Sequence, residues 1–273
     1  MIISAVSDLH LEFADCKLAG GDFIILAGDI WTAAPMNKFM NDADSRSMRR
    51  RYENFCEDEL RKYRAGVMVL GNHEFYKGRM EDVPGTVREF LKINAPHITL
   101  LDNDTLTVNG ITFLGTTLWA PSGMANPVKE LAIQRGMNDF KRIHVGNNLF
   151  TPADAGFLYR RNVAWLERKL EQFGRRKCIV VTHHAPSHLG LCDEHATSDI
   201  SDAYSSNLHY LMEGYPQIKA WFFGHTHARR KLKVGGVELR SNPRGYYKYE
   251  PISLNFKSDY ADFEIAESNR RGR

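Results

Sequence analysis

The chain has 273 residues, with 36 Lys and Arg against 33 Asp and Glu, a formal net charge of +3, and 43% hydrophobic residues. That length allows one large domain or two small ones at roughly 100 to 200 residues each. The even charge argues against a strongly basic nucleic-acid coat or an acidic solvating tail, and the mean hydropathy of −0.41 excludes a chain built mainly of membrane spans.

In chain order, β-rich runs at Ile2–Val6, Phe23–Ala27, Val67–Leu70, Cys178–Thr182 and Ala220–Phe223 predict short buried strands. Asn109-Gly110 between Leu106–Val108 and Ile111–Leu114 predicts a hairpin, as does Gly235-Gly236 between Lys231–Val234 and Val237–Arg240. Helical period predicts helices over Lys38–Tyr63, Val83–Asn94, Ala153–Phe173 and Asp202–Glu213, the first weakened by the poor helix formers of Asp42–Ser47. Hairpins beside crossover strands predict an α/β protein with mixed sheets packed face to face and helices outside. No repeat or Pro/Ser-rich linker divides the chain, so we expect one domain over 1–266 and a polar tail over 267–273.

The apolar runs are several-fold shorter than the ~20 residues of a bilayer span, so no membrane partner is expected. Met1 to Val6 carries no basic region and meets Asp8 and His10 at once, unlike a secretory signal. Cys16, Cys56, Cys178 and Cys192 form no CxxC pair. A cytoplasmic protein with reduced thiols is therefore the expectation.

Chemistry-bearing residues fall at the strand ends. Asp8 and His10 follow the first strand, Gly28-Asp29 the second, Gly71-Asn72-His73-Glu74 the third, His183-His184 the fourth and Gly224-His225-Thr226-His227 the fifth. Open α/β sheets place their sites outside the carboxyl ends of strands, so these loops can converge. Imidazole with carboxylate and amide, and no Cys, suits Mn²⁺, Fe, Co²⁺, Ni²⁺ or Zn²⁺ rather than the nearly all-oxygen sites of Mg²⁺ or Ca²⁺. Asp8, His10, Asp29, Asn72, one of His183 and His184, His225 and His227 exceed one tetrahedral site. They suffice for two ions about 3.5 to 4 Å apart if a carboxylate bridges, the clamp used for in-line displacement at phosphorus.

Read in order, Asp8-Leu9-His10, Gly28-Asp29, Gly71-Asn72-His73-Glu74, His183 and Gly224-His225-Thr226-His227 resemble the signature of the calcineurin-like binuclear metallophosphoesterases. The resemblance implies a four-layer α-β-β-α sandwich of two mixed β-sheets with the site at one edge. It also implies that Asp8, His10 and His227 hold one metal, that Asn72, His183 and His225 hold the other, and that Asp29 bridges them. His183 is preferred to His184 because related motifs set the ligand two or three positions before a Pro, here Pro186. The same resemblance leaves His73 free to protonate or steer the leaving group, lets Asn72 touch a phosphate oxygen, and makes a metal-bridging hydroxide the nucleophile. Two divalent transition-metal ions are implied, Mn²⁺ first, with Fe, Ni, Co and Zn as alternatives.

The sequence departs from the protein-phosphatase branch. Its Gly-Asp-x-x-Asp-Arg-Gly is replaced by Gly28-Asp29-Ile30-Trp31-Thr32-Ala33, although Glu74 matches that branch. The missing Arg, and similarity to small bacterial members, imply a phosphodiesterase on nucleotide-type or cyclic nucleotide substrates. A monoesterase or pyrophosphatase acting on nucleotides, sugars or lipid precursors is the alternative, and a non-catalytic scaffold a further one. His184, Arg244 and Tyr246 are candidate substrate contacts, Arg244 for phosphate and Tyr246 for stacking on a base; Asn242-Pro243-Arg244-Gly245 is also good turn chemistry. Trp119 and Met137–Phe140 are read as site wall or core, Cys192–Ser206 as a polar loop, and His97, His144, His195 and His209 as structural. Arg46–Arg51 is read as a solvated helix face, which leaves nucleic acid weakly supported and a small phosphate ester or nucleotide as the expected partner.

Overall fold

The computed structural model describes residues 1–266 except Lys38 and Ala125, and the side chains of Glu194 and His195 are also outside what it describes. The expected tail 267–273, the first residue of the first expected helix and the side chain of His195 thus lie outside the described residues. The strands in order are β1 (Ile2–Val6), β2 (Gly21–Ala27), β3 (Tyr63–Val69), β4 (Ile98–Leu100), β5 (Asp104–Val108), β6 (Ile111–Thr116) and β7 (His144–Val145). They continue as β8 (Asn148–Leu149), β9 (Cys178–Thr182), β10 (Ile218–Phe223), β11 (Arg230–Val234), β12 (Val237–Ser241) and β13 (Phe263–Glu264). The helices are α1 (Ala43–Asp58), α2 (Val83–Asn94), α3 (Pro127–Gly136), α4 (Asp139–Arg142), α5 (Pro152–Phe173), α6 (Asp193–Ala196), α7 (His209–Gly214) and α8 (Pro251–Leu254).

Two mixed sheets carry the fold. The first has the order β13-β1-β2-β3-β4, parallel except for β13, and the second β11-β12-β10-β9-β6-β5, with antiparallel strands at both edges. Strand side chains alternate between faces. Ile3, Phe23, Ile25, Val67 and Val69 therefore face Phe113, Ile179, Val181 and Phe222 across the gap between sheets. Phe23 stacks on Phe113 there, with ring centroids 4.6 Å apart.

The intervening residues face outward. Ile24, Leu26 and Met68 pack on Tyr52 and Phe55 of α1 and Val87 and Leu91 of α2, while Val180, Trp221 and Phe223 pack on Trp165 and Leu170 of α5 and Leu211 of α7. Each such side chain, fully buried, contributes about 1.5 to 3 kcal/mol of transfer free energy. The result is the expected α-β-β-α sandwich, and both hairpins form at the expected turns, with Asn109 and Gly110 at φ 51° and 76°.

Three expectations about helices change. The first starts at Ala43, because the Asp42 carboxylate accepts the Ser45 N–H at 2.9 Å and caps it. The helix expected over Asp202–Glu213 is only α7 preceded by a short 3₁₀ turn, since Ser206 and Leu208 give their N–H groups to the carbonyls of Ala185 and Pro186 after β9. The basic run of α1 is not simply a solvated face. Arg49 donates to the carbonyls of Pro35, Asn37 and Met40, and Arg51 to those of Leu11 and Glu12, so both tie loops to the helix. Among the described residues no helix is long and apolar enough to cross a membrane, and the four cysteines are free.

Candidate metal centre

The loops after β1, β2, β3, β9 and β10 meet at one edge of the sandwich, so both sheets contribute to the site. Asp8, His10, Asp29, His225 and His227 all adopt left-handed backbone, with φ of 51°, 46°, 53°, 68° and 46°. Such a conformation costs an L-residue on the order of 1 to 3 kcal/mol and persists only where its surroundings enforce it. Here they do. Asp8 and His10 donate their N–H groups to the carbonyls of Gly28 and Asp29 at 3.0 and 3.1 Å, and the Asp8 carboxylate accepts the His225 N–H at 3.0 Å. Glu74, fully buried, accepts from the N–H groups of Asp29, Ile30 and Gly71 at 3.0, 2.8 and 2.6 Å, locking the second loop to the third. A Cβ on Gly71 would run into Asp29 Oδ1 and the His183 ring. Glycine is what lets these two side chains meet.

Two groups of ligand atoms gather the expected ligands, and a third, of His10, Glu12 and His73, shares His10 with the first. In the first, Asp8, His10 and His227 approach within 4.8 Å of one another. His10 Nδ1 faces Glu12 at 3.3 Å and His227 Nδ1 faces Glu250 at 2.7 Å. Each carboxylate takes the Nδ1 hydrogen, which turns the two Nε2 atoms toward each other at 3.3 Å, with Asp8 Oδ1 3.4 Å from His227 Nε2.

In the second cluster, Asp29, His183 and His225 approach within the same 4.8 Å. His183 Nδ1 donates to the Ala27 carbonyl at 2.9 Å, leaving Nε2 3.0 Å from Asn72 Oδ1 and 3.4 Å from Asp29 Oδ1. Asn72 is oriented by Asp139, which accepts its Nδ2 hydrogen at 2.8 Å. His225 Nε2 is buried without a hydrogen-bond partner. Converging ligand atoms, with the Nδ1 hydrogens of His10, His183 and His227 spent on acceptors elsewhere, are what a pair of cations requires once Nε2 yields any proton it holds, so the residues fit two metal ions.

The electrostatics agree. Burial opposes charge on His183 and His227, but Asp29 beside the first, and Asp8 and Glu250 beside the second, push them up to about 9 and about 10. Burial raises Asp29, yet His183 and His73 outweigh it and hold this carboxyl well below its usual range. Glu12 likewise falls to about 2 against its burial, through hydrogen bonds with His10 and His73.

His73 stands beside both clusters. Its Nδ1 meets Glu12 at 3.0 Å, its Nε2 meets the Tyr246 hydroxyl at 3.0 Å, and its ring stacks on Tyr76 with centroids 4.2 Å apart. Asp29, Asn72, His73, His225, His227 and Tyr246 line a cleft of about 390 Å³, with Tyr76, Tyr204, Met137, Cys192, Glu250 and Ile252 among its walls. No Arg or Lys is among the described residues lining it.

Two candidate substrate contacts lie elsewhere. His184 is buried behind the cleft, its ring 4.1 Å from that of His225 and 5.3 Å from Trp119, because its N–H and that of His183 both go to the Thr117 carbonyl. Burial, with the charge of His183, pushes its imidazole down to about 3. Arg244 is also outside the cleft: its Nη1 donates to the carbonyls of Leu9 and Ala14 and its guanidinium sits 4.7 Å from the Tyr247 ring centroid. Glu12, Tyr76, Asp139 and Glu250 are residues that sequence reasoning missed or left unassigned. Glu12, two positions after His10, was the one carrying a local signal.

These loops lie within residues 3–229, which match the family model described as calcineurin-like phosphoesterase. The chain belongs to that family. Calcineurin-like phosphoesterases depend on two metal ions, and the clustered ligands accord with this. This phosphoesterase is 27% identical over 266 residues to an uncharacterized protein of Acanthamoeba polyphaga mimivirus, spanning 90% of this chain and 91% of that one. It is 25% identical over 160 residues to the 3′,5′-cyclic adenosine monophosphate phosphodiesterase of Escherichia coli K12, spanning 54% of this chain and only 56% of that one. Among solved structures, the phosphopantetheinyl hydrolase of Mycobacterium tuberculosis superposes with a TM-score of 0.61 at 17% identity, covering 89% of each chain. A dimetal phosphatase from Danio rerio gives 0.53 at 12% identity, covering 92% of this chain and 89% of that one. Both share the fold.

Proposed function

We propose that the protein is a phosphodiesterase on nucleotide-type substrates, with Asp8, His10 and His227 holding one metal ion, Asn72, His183 and His225 the other, and Asp29 between them. The observation that carries this reading is the pairing of these ligand clusters with a cleft that is aromatic-walled and, among the described residues, lined by no Arg or Lys. A monoester dianion is commonly gripped by a guanidinium fork, whereas a diester carries a single negative charge. Two divalent ions, bound there, supply Lewis acidity to the phosphoryl oxygens and bring the pKa of water toward neutrality.

The protein's own groups do the rest. Glu12 and Tyr246 hold the His73 ring from both nitrogens, so that Nε2 is aimed into the cleft as the proton donor for the departing ester oxygen. Tyr204 and Tyr246 bring aromatic rings to the cleft for a nucleobase, whereas Tyr76 is buried and stacks on His73. Imidazole and carboxylate donors favour Mn²⁺ or another mid-row transition ion over Mg²⁺.

The test compares bis-p-nitrophenyl phosphate with p-nitrophenyl phosphate, on protein stripped of metal and reloaded with Mn²⁺, with Asp29→Ala as the blank. Faster cleavage of the diester with a dead blank is expected. Cleavage of the monoester alone overturns the diesterase reading and points to a monoesterase.

A further inference from the structure

Tyr246 has a second neighbour. It lines the metal cleft and stacks on His10 at 4.3 Å, while its ring also meets Phe13 edge-on at 5.6 Å. Phe13 in turn walls a separate groove of about 590 Å³, together with Tyr247, Tyr249, Arg51, Arg244 and Lys248. The rings of Phe13 and His10 are only 6.2 Å apart, so the groove begins one side chain away from a proposed metal ligand.

The groove differs from the cleft in charge. Among the described residues lining it are Arg51, Arg244 and Lys248 and one carboxylate, Asp15, engaged by Arg51 Nε at 3.1 Å. Arg51 also spends Nη1 on the Leu11 and Glu12 carbonyls and Arg244 is buried, so Lys248 is the exposed cation of the three. Phe13 and Tyr249 are 52% and 82% exposed. Arg244 spends Nη1 on the Leu9 and Ala14 carbonyls and lies over Tyr247, and Lys248 lies 5.5 Å from the same ring centroid. Exposed aromatic rings interleaved with cations are the surface that binds single-stranded nucleic acid, bases stacking on rings while phosphates meet the cations.

We propose that this groove receives the flanking nucleotide of a single-stranded oligonucleotide whose scissile phosphate lies in the metal cleft. The inference rests on the diesterase reading and deepens it. A 3′,5′-cyclic nucleotide carries both ester oxygens on one ribose and needs one chamber. A linear diester carries two arms diverging from phosphorus, and two chambers flanking Tyr246 suit it. In the reaction the oxygen of water bonds to phosphorus as the P–O bond to one arm breaks. That arm leaves as an alcohol after taking a proton, and the other keeps the phosphate as a monoester.

The experiment measures KM for cleavage of a fluorescein-labelled hexathymidylate by the Mn²⁺-loaded protein, beside turnover of bis-p-nitrophenyl phosphate. Tyr249→Ala should raise the hexathymidylate KM about tenfold, the scale of one lost base stack. Lys248→Gln should lower the salt slope of log KM by about 0.7, the contribution of one contact to a single strand. Phe157→Ala, an exposed ring on α5, should change neither, and thermal melts should show all three variants folded. Unchanged KM and slope in the groove variants overturn the proposal, as does cleavage of bis-p-nitrophenyl phosphate without cleavage of the oligonucleotide. If the wild-type protein cleaves neither, the diesterase reading itself falls and the groove's role falls with it.

Discussion

Asp139 accepts the Nδ2 hydrogen of Asn72 at 2.8 Å. The same carboxylate oxygen accepts the Tyr76 hydroxyl at 2.7 Å, so the amide is held with its Oδ1 facing His183 Nε2 at 3.0 Å. Outer-shell partners of this kind typically change metal affinity about 10- to 100-fold when removed. Asp139→Ala should therefore weaken the site of Asn72, His183 and His225 at least about tenfold, leaving the Asp8, His10 and His227 site unchanged. Asp139→Asn, which keeps an acceptor, should recover part of the loss. Metal titrations followed by mass spectrometry of bound ions read both, and wild-type affinity in Asp139→Ala would remove Asp139 from the positioning role.

Asp29 and His73 should separate metal binding from turnover. The His73 imidazole meets Glu12 and Tyr246, with Nε2 4.0 Å from Asp29 Oδ2. It is the backbone N–H of His73 that donates to Asp29 Oδ1 at 2.8 Å, a bond alanine retains, so His73→Ala should keep metal content near wild type. Its turnover should fall by about 10² to 10⁴, the usual contribution of a positioned acid. Asp29→Ala removes the carboxylate beside His183 and should lose metal and activity together. Equal metal loss in both variants would refute the division of roles.

Two glycines give opposite expectations for the same substitution. Gly71→Ala drives a methyl group into Asp29 and His183. Overpacking of this kind costs about 1 to 3 kcal/mol, and a chain of this size should lose several degrees of melting temperature along with bound metal. Gly85, inside α2, has open space around its missing Cβ. Gly85→Ala should raise stability by about 0.5 to 1 kcal/mol, through helix propensity and lost unfolded-state freedom. Thermal melts of the two variants side by side check this, and equal effects would mean that the crowding at Gly71 relaxes freely.

Much of this architecture was legible because local and tertiary signals coincide. Cys178–Thr182 and Val83–Asn94 form where apolar runs and helical period place them, and the ligand-type residues sit at strand ends because parallel strands deliver their loops to one edge. β4 and β13 escaped notice because three and two residues carry no period, and their pairing is set by neighbouring strands. Asp139 and Glu250 reach Asn72 and His227 from 67 and 23 residues away, and no spacing rule announces such contacts. Arg244 misled in the opposite direction. Its turn is real, but the fold points the guanidinium at the Leu9 and Ala14 carbonyls and away from the cleft.

Metal loading should release protons. Burial disfavours charge on His183 and His227, but the carboxylates around them win, and the metal-free imidazoles sit at about 9 and about 10. Both are thus cationic at neutral pH, and a metal ion at Nε2 must displace a proton from each. His10 and His225 are lowered by burial and Asp8 and Asp29 are already ionised, so they add none. Calorimetry of Mn²⁺ binding in buffers of different ionisation enthalpy at pH 7 should give about two protons released per chain. Because the folded pKa values lie above the ordinary value of about 6.5, the stability these ion pairs lend is complete below that pH. It is lost as pH rises through about 9 and about 10. The metal-free protein should accordingly melt at progressively lower temperature across that window, while the Mn²⁺-loaded protein, whose His183 and His227 have already given up those protons, should lose far less. Binding enthalpies independent of buffer would mean that both imidazoles are neutral before the metal arrives, and would overturn the electrostatic account of the site.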